Sequence, residues 1–282
     1  MKTKKDSLSI VLRFLVLLSA VLTVGVIVLI VGYIFVKGVP NLSLDLFAWE
    51  YNTENVSLLP ALINTLIMTV LSLLIASPVG IFAAVFLVEY SSQGSRLVKI
   101  IRITAETLSG IPSIVYGLFG LLFFVTALKW GMSLIAGACT IALMILPLIM
   151  RTTEEALLAV PKTFREGSFG LGAGRLRTVF LIVLPSALPG IMAGIILATG
   201  RIAGETAALM YTAGTVAQIP MGKDFLLDST RTLAVHMYNL SCEGLYVDKA
   251  YATAFVLLVM VMGINVLSGF MAKKFGGNKT NG

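Results

Sequence analysis

Two oppositely charged residues, Arg201 and Glu205, stand four positions apart in a long apolar stretch that reads GIMAGIILATGRIAGETAALMYTAG. If a helix begins near residue 186 and continues past residue 210, Arg201 lies about 22 Å along it, at a depth inside a bilayer. A charged side chain there costs about 2.5 to 3.5 kcal/mol on insertion scales, so it normally faces a polar cavity. The spacing therefore favours a transport path that passes Arg201.

The chemistry that fits this pair is the passage of a small oxyanion. A guanidinium offers five donors in a fixed fork, which matches phosphate or sulfate better than a sugar or an amino acid. Glu205, one turn away, would partly neutralise Arg201 or accept a hydrogen bond from a protonated oxyanion. Two simpler interpretations stay open, namely an intrahelical salt bridge and an arginine that snorkels toward the outer surface.

A second distinctive pattern lies in the loop of residues 151–180. Pro161 suits the first turn of a short helix. The residues expected to make contacts are three apolar anchors, Phe164, Phe169 and Leu171, with Arg165 and Glu166 as charges at the rim. Glu166 is followed by two small residues, by Gly172, and then by Ile182, Leu184 and Pro185. The pattern favours a short helix with exposed apolar side chains or, as the simpler alternative, an amphipathic surface loop with a glycine-rich end.

The sequence contains no phosphate-binding loop for a nucleotide. The glycine-rich stretch of residues 170–174 lacks the Gly-Lys-Ser/Thr that must follow, and Gly222 and Lys223 are followed by Asp224. We therefore expect neither an ATPase site nor a cofactor in this chain, with ATP bound by a partner. A membrane-embedded enzyme is disfavoured, because no histidine, cysteine or carboxylate is placed to form a catalytic cluster.

The elements that must hold these residues are membrane-spanning helices. Of the 282 residues, 57% are hydrophobic and 12% are charged, and the mean hydropathy is +0.96. This composition excludes soluble enzymes and nucleic-acid binders, because a soluble surface needs more polar groups. Cys139, Cys242 and His236 are too few for a disulfide framework or a four-ligand metal site.

Six uncharged runs are long enough to cross a bilayer, which needs about 20 apolar helical residues. They cover residues 14–36, 55–88, 107–128, 130–150, 178–200 and 250–272. In the second run, Pro60 and Pro78 indicate an entry segment at the membrane surface and a local bend. The sequence thus predicts an all-α protein with six transmembrane helices. Its parts are an anchor helix with an outer segment (1–58), a core of five helices (59–272) that includes the loop of residues 151–180, and a tail (273–282).

The distribution of basic residues predicts the orientation in the membrane. With the N-terminus in the cytoplasm, the inner segments hold fifteen lysines and arginines and the outer segments hold five. This asymmetry follows the positive-inside rule, so both termini are expected in the cytoplasm. Arg96, Lys99 and Arg102, spaced three apart, are expected on one face of a short helix at the inner membrane surface.

The spacing in the inner loop resembles the EAA loop of importer-type ABC transporter permeases, whose pattern is E-A-A-x3-G-x9-I-x-L-P. Gly167 and Ser168 stand where that family usually has two alanines, and Gly costs about 1 kcal/mol against Ala inside a helix. The segments GRIAGETAAL and ETLSGIPSIVYGLFGL look like those of phosphate ABC importer permeases, particularly the PstA-type subunit. The likeness runs from about residue 58 to residue 271.

This resemblance implies the MetI-like fold of a type I ABC importer permease in a bacterial cytoplasmic membrane. It implies inward transport of inorganic phosphate through a pathway of which this chain forms half. The implied partners are a second homologous permease subunit, an ATPase dimer, an extracytoplasmic phosphate-binding protein and membrane lipid, with no nucleic acid. The alternatives are a permease for sulfate or molybdate and a secondary transporter, although no internal repeat and no intramembrane Asp support the latter.

The resemblance also assigns residues to roles. Phosphate passage falls to Arg201 and Glu205, and Ser113 and Thr206 would add hydroxyl donors or simply pack between helices. ATPase coupling falls to Pro161, Phe164, Arg165, Glu166, Phe169 and Gly172.

Overall fold

The computed structural model describes residues 7–91 and 94–276, and every regular element in that part of the chain is a helix. The helices are α1 (Ser7–Gly38), α2 (Leu59–Val85), α3 (Arg96–Ser109), α4 (Ser113–Gly120), α5 (Leu134–Ala159), α6 (Lys162–Gly170), α7 (Arg175–Thr178), α8 (Leu184–Ala203), α9 (Ala207–Thr212), α10 (Leu233–Glu243) and α11 (Val247–Gly276). Turns of π-helix extend α2 over Phe86–Tyr90 and α4 over Leu121–Ala127, and join α7 to α8 over Val179–Val183. The all-α prediction is confirmed.

Among the described residues, five helical segments are long and apolar enough to cross a membrane, and a bent pair makes a sixth when it is counted as one span. The five are α1, α2 with its π turn, α5, the continuous segment Arg175–Ala203, and α11. They overlap five of the six predicted runs. α2 begins at Leu59 with Pro60 in its first turn, where the missing N–H leaves no hydrogen bond unmade. Residues 55–58 therefore precede the helix as an entry segment.

The sixth predicted run, 107–128, is not one straight helix. α3 ends at Ser109, α4 begins at Ser113, and the pair is bent by 101°. The cause is local, because Pro112 restricts the residue before it and lacks the N–H that a continuing helix needs. α4 with its π turn, Ser113–Ala127, measures about 22 Å at 1.5 Å per residue, so the apolar crossing is shorter than the sequence predicted.

The centre of the bundle is α5, and 67% of its most apolar 18-residue stretch is buried. α2 and α8 pack along α5, and α9 contacts both α4 and α5. Because lipid is as apolar as these side chains, close packing at small residues holds such helices together. Gly117 on α4 shows this, since a Cβ there would lie 2.8 Å from the Cα of Ala208 on α9.

The bundle has two ends that differ in content. The end that we call the α6 end carries α6, α7 and the π turn of α2, and the α10 end carries α10 with the segments 39–58 and 213–232. Backbone hydrogen bonds join the parts of the α10 end, where Ser133 N–H donates to Thr212 O and Leu134 N–H donates to Asp228 O, both at 2.9 Å. Helix α1 lies outside the bundle, because none of its most apolar stretch is buried.

A buried cation and a buried histidine lie at the α10 end. The Arg231 guanidinium sits 4.5 Å from the centre of the Tyr51 ring, and the imidazole of His236 meets the same ring edge to face at 6.1 Å. Arg231 is 5% exposed and His236 is fully buried. Burial of the imidazole, and then the charge of Arg231, lower the pKa of His236 from 6.5 to about 3.

We expect this histidine to make the stability of the protein depend on pH. The pKa is lower in the folded state, so the unfolded chain binds the extra proton and the stability falls as the pH drops from about 6.5 toward 3. The slope is at most about 1.4 kcal/mol per pH unit. The unfolding temperature of the detergent-solubilised protein, followed between pH 7.5 and 4.5, should decline less steeply in His236→Gln. Equal slopes in the two proteins would contradict the assignment to His236.

Candidate functional site

Arg201 lies level with the middle of the bundle. Gly190 of α8 packs against Ala156 of α5, and Gly194 packs against Thr152, so the two helices run antiparallel in step. Counting seven residues onward along each helix from the second contact puts Arg201 at the level of Ile145, about halfway along α5. Ile145 is about 16 Å from the start of that helix at 1.5 Å per residue. The exposed Arg201 side chain thus lies at mid-height of a bundle whose helices have the length and composition of membrane spans.

Arg201 and Glu205 do not share a helix, so the prediction that they lie one turn apart on the same helix is wrong. α8 ends at Ala203, and α9 begins at Ala207. Within residues 7–91 and 94–276 the ion pairs are Arg102 with Glu154, Arg151 with Glu155, and Arg165 with Glu89. The interpretation of Arg201 and Glu205 as an intrahelical salt bridge is therefore wrong.

Glu205 holds the start of α9 instead. Its carboxylate accepts a hydrogen bond from the backbone N–H of Ala208 at 3.1 Å, and the residue is only 9% exposed. An acidic group that accepts from the first free N–H groups stabilises a helix start. Because Ala208 is the residue that packs against Gly117, Glu205 fixes the position of α9 against α4.

The side chain of Arg201 is exposed in the last turn of α8, where the carbonyl ends of the helix favour a cation. In the described part of the chain it has no ion-pair partner. The Tyr116 hydroxyl donates to the Leu108 carbonyl at 2.9 Å. Tyr116 thus ties α4 back to α3 across the bend.

The two hydroxyl residues of the predicted site lie at the starts of the short helices. Ser113 is half-buried in the first turn of α4, three residues before Tyr116. Thr206 directly precedes α9, and its hydroxyl donates to the Gly204 carbonyl at 3.4 Å. The structure therefore brings Thr206 and Glu205 together at the break between α8 and α9, and it puts Ser113 at the bend between α3 and α4.

A cleft of about 350 Å³, which we call the polar cleft after its charged lining residues, opens between α3 and the part of α5 nearer the α6 end. Its charged lining residues are Arg102, Glu106, Arg151, Glu154 and Glu155. Arg102 pairs with Glu154 at 2.5 Å across the cleft, so α3, the short basic helix that the sequence predicted, is fastened to α5. The lining reaches Pro147, two residues from Ile145, and so the cleft ends near the level of Arg201.

The predicted docking helix is α6. Pro161 stands immediately before its first residue. Phe164 and Phe169 are 50% and 46% exposed and Leu171 is 92% exposed, so the apolar anchors point away from the protein. Glu166 is exposed as well. A helix that presents apolar side chains at its tip to the surroundings is suited to a protein partner.

Gly172 ends α6 with a backbone turn that favours glycine. Its φ is +81°, in the left-handed region. The N–H of Gly172 donates to Phe169 O at 2.9 Å, and the N–H of Ala173 donates to Ser168 O at 3.1 Å. These two bonds satisfy carbonyls that the helix end leaves open, which explains the glycine at this position of the motif.

Two polar side chains of the inner loop face into the protein. Arg165, predicted as a rim charge, faces inward, where its Nε and Nη2 donate to Glu89 Oε1 at 3.0 and 2.6 Å. Ser168, in the place of an alanine, is buried, and its hydroxyl shares a hydrogen bond with Thr178 Oγ1 at 2.8 Å. Sequence analysis missed Glu89, because its partner lies 76 residues away along the chain.

Comparison with known proteins gives one family and a consistent set of relatives. Residues 76–276 match the family described as "Binding-protein-dependent transport system inner membrane component". The probable ABC transporter permease protein YqgI of Bacillus subtilis is 35% identical over 274 residues, which cover 90% of this chain and 91% of that protein. The phosphate transport system permease protein PstA of Haemophilus influenzae is 35% identical over 234 residues, 82% of each chain.

Solved structures agree on the fold. A bacterial alginate ABC transporter, in complex with an alginate pentasaccharide-bound periplasmic protein, contains a chain with a TM-score of 0.67 and 17% identity, and the match covers 96% of this chain and 99% of that one. An inward-facing MetNI methionine ABC transporter gives a TM-score of 0.59 at 19% identity, with 77% and 93% covered. At these identities the likeness concerns the fold alone, and it confirms the predicted MetI-like fold.

Proposed function

This chain belongs to the binding-protein-dependent transport system inner membrane component family and is a multi-pass permease subunit of an ABC importer, and from that premise we propose that it carries inorganic phosphate. The observation that carries the proposal is the Arg201 side chain. It is exposed, lies level with the middle of α5, and has no ion-pair partner among the described residues. A guanidinium in that state can bind a tetrahedral oxyanion through several charge-assisted hydrogen bonds.

The relatives support phosphate over other cargoes. Proteins at 33% and 35% identity over 82% of this chain are named phosphate transport system permeases. The structural neighbours are named for alginate and methionine, so the fold by itself does not select a cargo. Sulfate or molybdate remains the second candidate, because both are oxyanions that a guanidinium can bind.

The proposed route uses the polar cleft. An anion released by Arg201 would enter the cleft near Pro147 and leave past the ion pairs of α3 and α5 at the α6 end, which we place in the cytoplasm together with both termini. The cleft carries three carboxylates beside two arginines, so it would repel an anion more than it would retain it. Weak binding along the route favours release.

The proposed source of energy is a separate ATPase dimer that docks on α6. This chain binds no nucleotide and no cofactor in the proposal. A second homologous permease subunit completes the pathway, and an extracytoplasmic phosphate-binding protein delivers the anion at the α10 end. The exposed Phe164, Phe169 and Leu171 are the contacts that we assign to the ATPase.

Uptake by the reconstituted complex tests the cargo. The complex in proteoliposomes, with the binding protein outside and ATP inside, should accumulate labelled phosphate, and excess sulfate or molybdate should not compete. Uptake of labelled sulfate or molybdate in preference to phosphate would replace phosphate with that anion. Phosphate uptake without any ATPase subunit would overturn the importer mechanism itself.

A further inference from the structure

Two arginine side chains from the inner loop contact the end of α2. Arg165 of α6 donates from Nε and Nη2 to Glu89 Oε1 at 3.0 and 2.6 Å. Arg175, at the start of α7, lies 5.9 Å from the centre of the ring of Tyr90, the next residue along. Glu89 and Tyr90 form the last part of the π turn that ends α2. We propose that Glu89 is the positioning residue that transmits a displacement of α6 into α2, and this rests on the proposed role of α6 in docking the ATPase.

The ion pair of Arg165 and Glu89 is mostly buried, and its geometry is well defined. The side chains of Arg165 and Glu89 are 17% and 8% exposed, so water screens their attraction little. An arginine that donates twice to one carboxylate oxygen is held in both distance and direction. By comparison, the pair of Arg151 and Glu155 is 67% and 64% exposed, and exposed pairs of this kind contribute little.

Arg165 also donates hydrogen bonds to carbonyls at the end of α5. α6 is therefore attached to α5 independently of its attachment to α2. Its Nη1 donates to Val160 O at 2.8 Å, and its Nη2 donates to Leu157 O at 2.9 Å. The Ser168 hydrogen bond with Thr178 is a third attachment, to α7. Replacing Glu89 therefore removes the link from α6 to α2, while the bonds that hold α6 on α5 and α7 stay.

A movement passed to Glu89 reaches the polar cleft. α3 begins at Arg96, six positions after Tyr90 in the sequence, and forms one side of the cleft with Arg102 and Glu106. α5 forms the other side. A pull on Glu89 by α6 would therefore shift α3 relative to α5 at the Arg102–Glu154 contact and change the width of the cleft. The π turn at the end of α2 is a type of element that is frequent at functional sites.

The test compares transport with hydrolysis in the reconstituted complex. We expect Glu89→Leu to assemble with the ATPase and to hydrolyse ATP, but to move at least about fivefold less anion per ATP hydrolysed. Glu89→Gln keeps an acceptor for Arg165 and should recover part of the ratio. Arg13→Leu, which removes an exposed charge from α1 outside the bundle, is the control and should leave the ratio as in the wild type.

Three outcomes separate this inference from the proposed function. An unchanged ratio in Glu89→Leu would overturn the inference, and so would loss of the ATPase from that variant, because Glu89 would then only shape the docking surface. A wild-type complex that couples hydrolysis to the uptake of sulfate instead of phosphate would overturn the proposed cargo, and the ratio could still be measured with sulfate. A reduced ratio with the ATPase retained supports the inference.

Discussion

Replacing Arg201 with alanine should lower phosphate uptake by about 100-fold, the size of effect that follows when one well-placed donor to an anion is removed. Assembly with the ATPase should persist, because the side chain is exposed and forms no ion pair within the described residues. Arg201→Lys keeps the charge but loses the fork of donors, so we expect an intermediate rate. Uptake of labelled phosphate and co-purification of the ATPase are the two measurements.

The control for this prediction is another exposed arginine. Arg96→Ala, at the exposed first residue of α3, removes one positive charge that is not part of the cleft lining and should transport like the wild type. Full uptake by Arg201→Ala would remove the guanidinium from the path. Equal losses in Arg96→Ala and Arg201→Ala would mean that net charge, and not the position of Arg201, matters.

Two substitutions of Glu205, measured in the same uptake experiment, distinguish the effect of its charge from the effect of its hydrogen bond to α9. Because its Oε1 accepts from Ala208 N–H at 3.1 Å, Glu205→Gln keeps an acceptor for α9 and loses only the charge. Glu205→Ala also loses the contact, which for caps of this kind costs about 0.5 to 2 kcal/mol. If the charge tunes the anion, Glu205→Gln should change the uptake rate with little effect on stability, whereas Glu205→Ala should change both.

The second large effect is expected at the tip of α6. Phe164→Asp and Phe169→Asp place a carboxylate where an apolar side chain would enter the ATPase, and truncated anchors of this type typically cost 2 kcal/mol or more, roughly 30-fold or more in affinity. We expect the ATPase to be lost from the purified complex while the permease itself stays folded. Shortening the chain around Gly172 should have the same effect, because that turn ends α6.

Leu245→Asp is the control for the docking prediction. Leu245 is 81% exposed and lies between α10 and α11, at the opposite end of the bundle. Leu245→Asp should remove a similar area of exposed apolar surface and leave the ATPase bound. Retention of the ATPase by both phenylalanine variants would refute docking through α6.

Features that depend on residues close together in the sequence, such as uncharged runs and the spacing of proline and glycine, were predictable from the sequence. The length of uncharged runs set five of the helices that could span a membrane, because a helix must satisfy its backbone within one segment. The spacing from Pro161 to Gly172 set the position and the end of α6, because proline and glycine act on the backbone beside them.

Tertiary structure decided the features that depend on partners far away in sequence. The sequence placed Arg165 on the rim, but its partner Glu89 lies 76 residues earlier and comes within reach only when α6 folds back against α2. The same holds for Arg201 and Glu205, whose spacing of four suggested one helix. The packing of Ala208 against Gly117 holds α9 as a separate element. Sequence alone determined which segments are apolar enough to span a membrane, because hydrophobicity adds up locally, and the fold decided which charges meet, because an ion pair depends on distance in space.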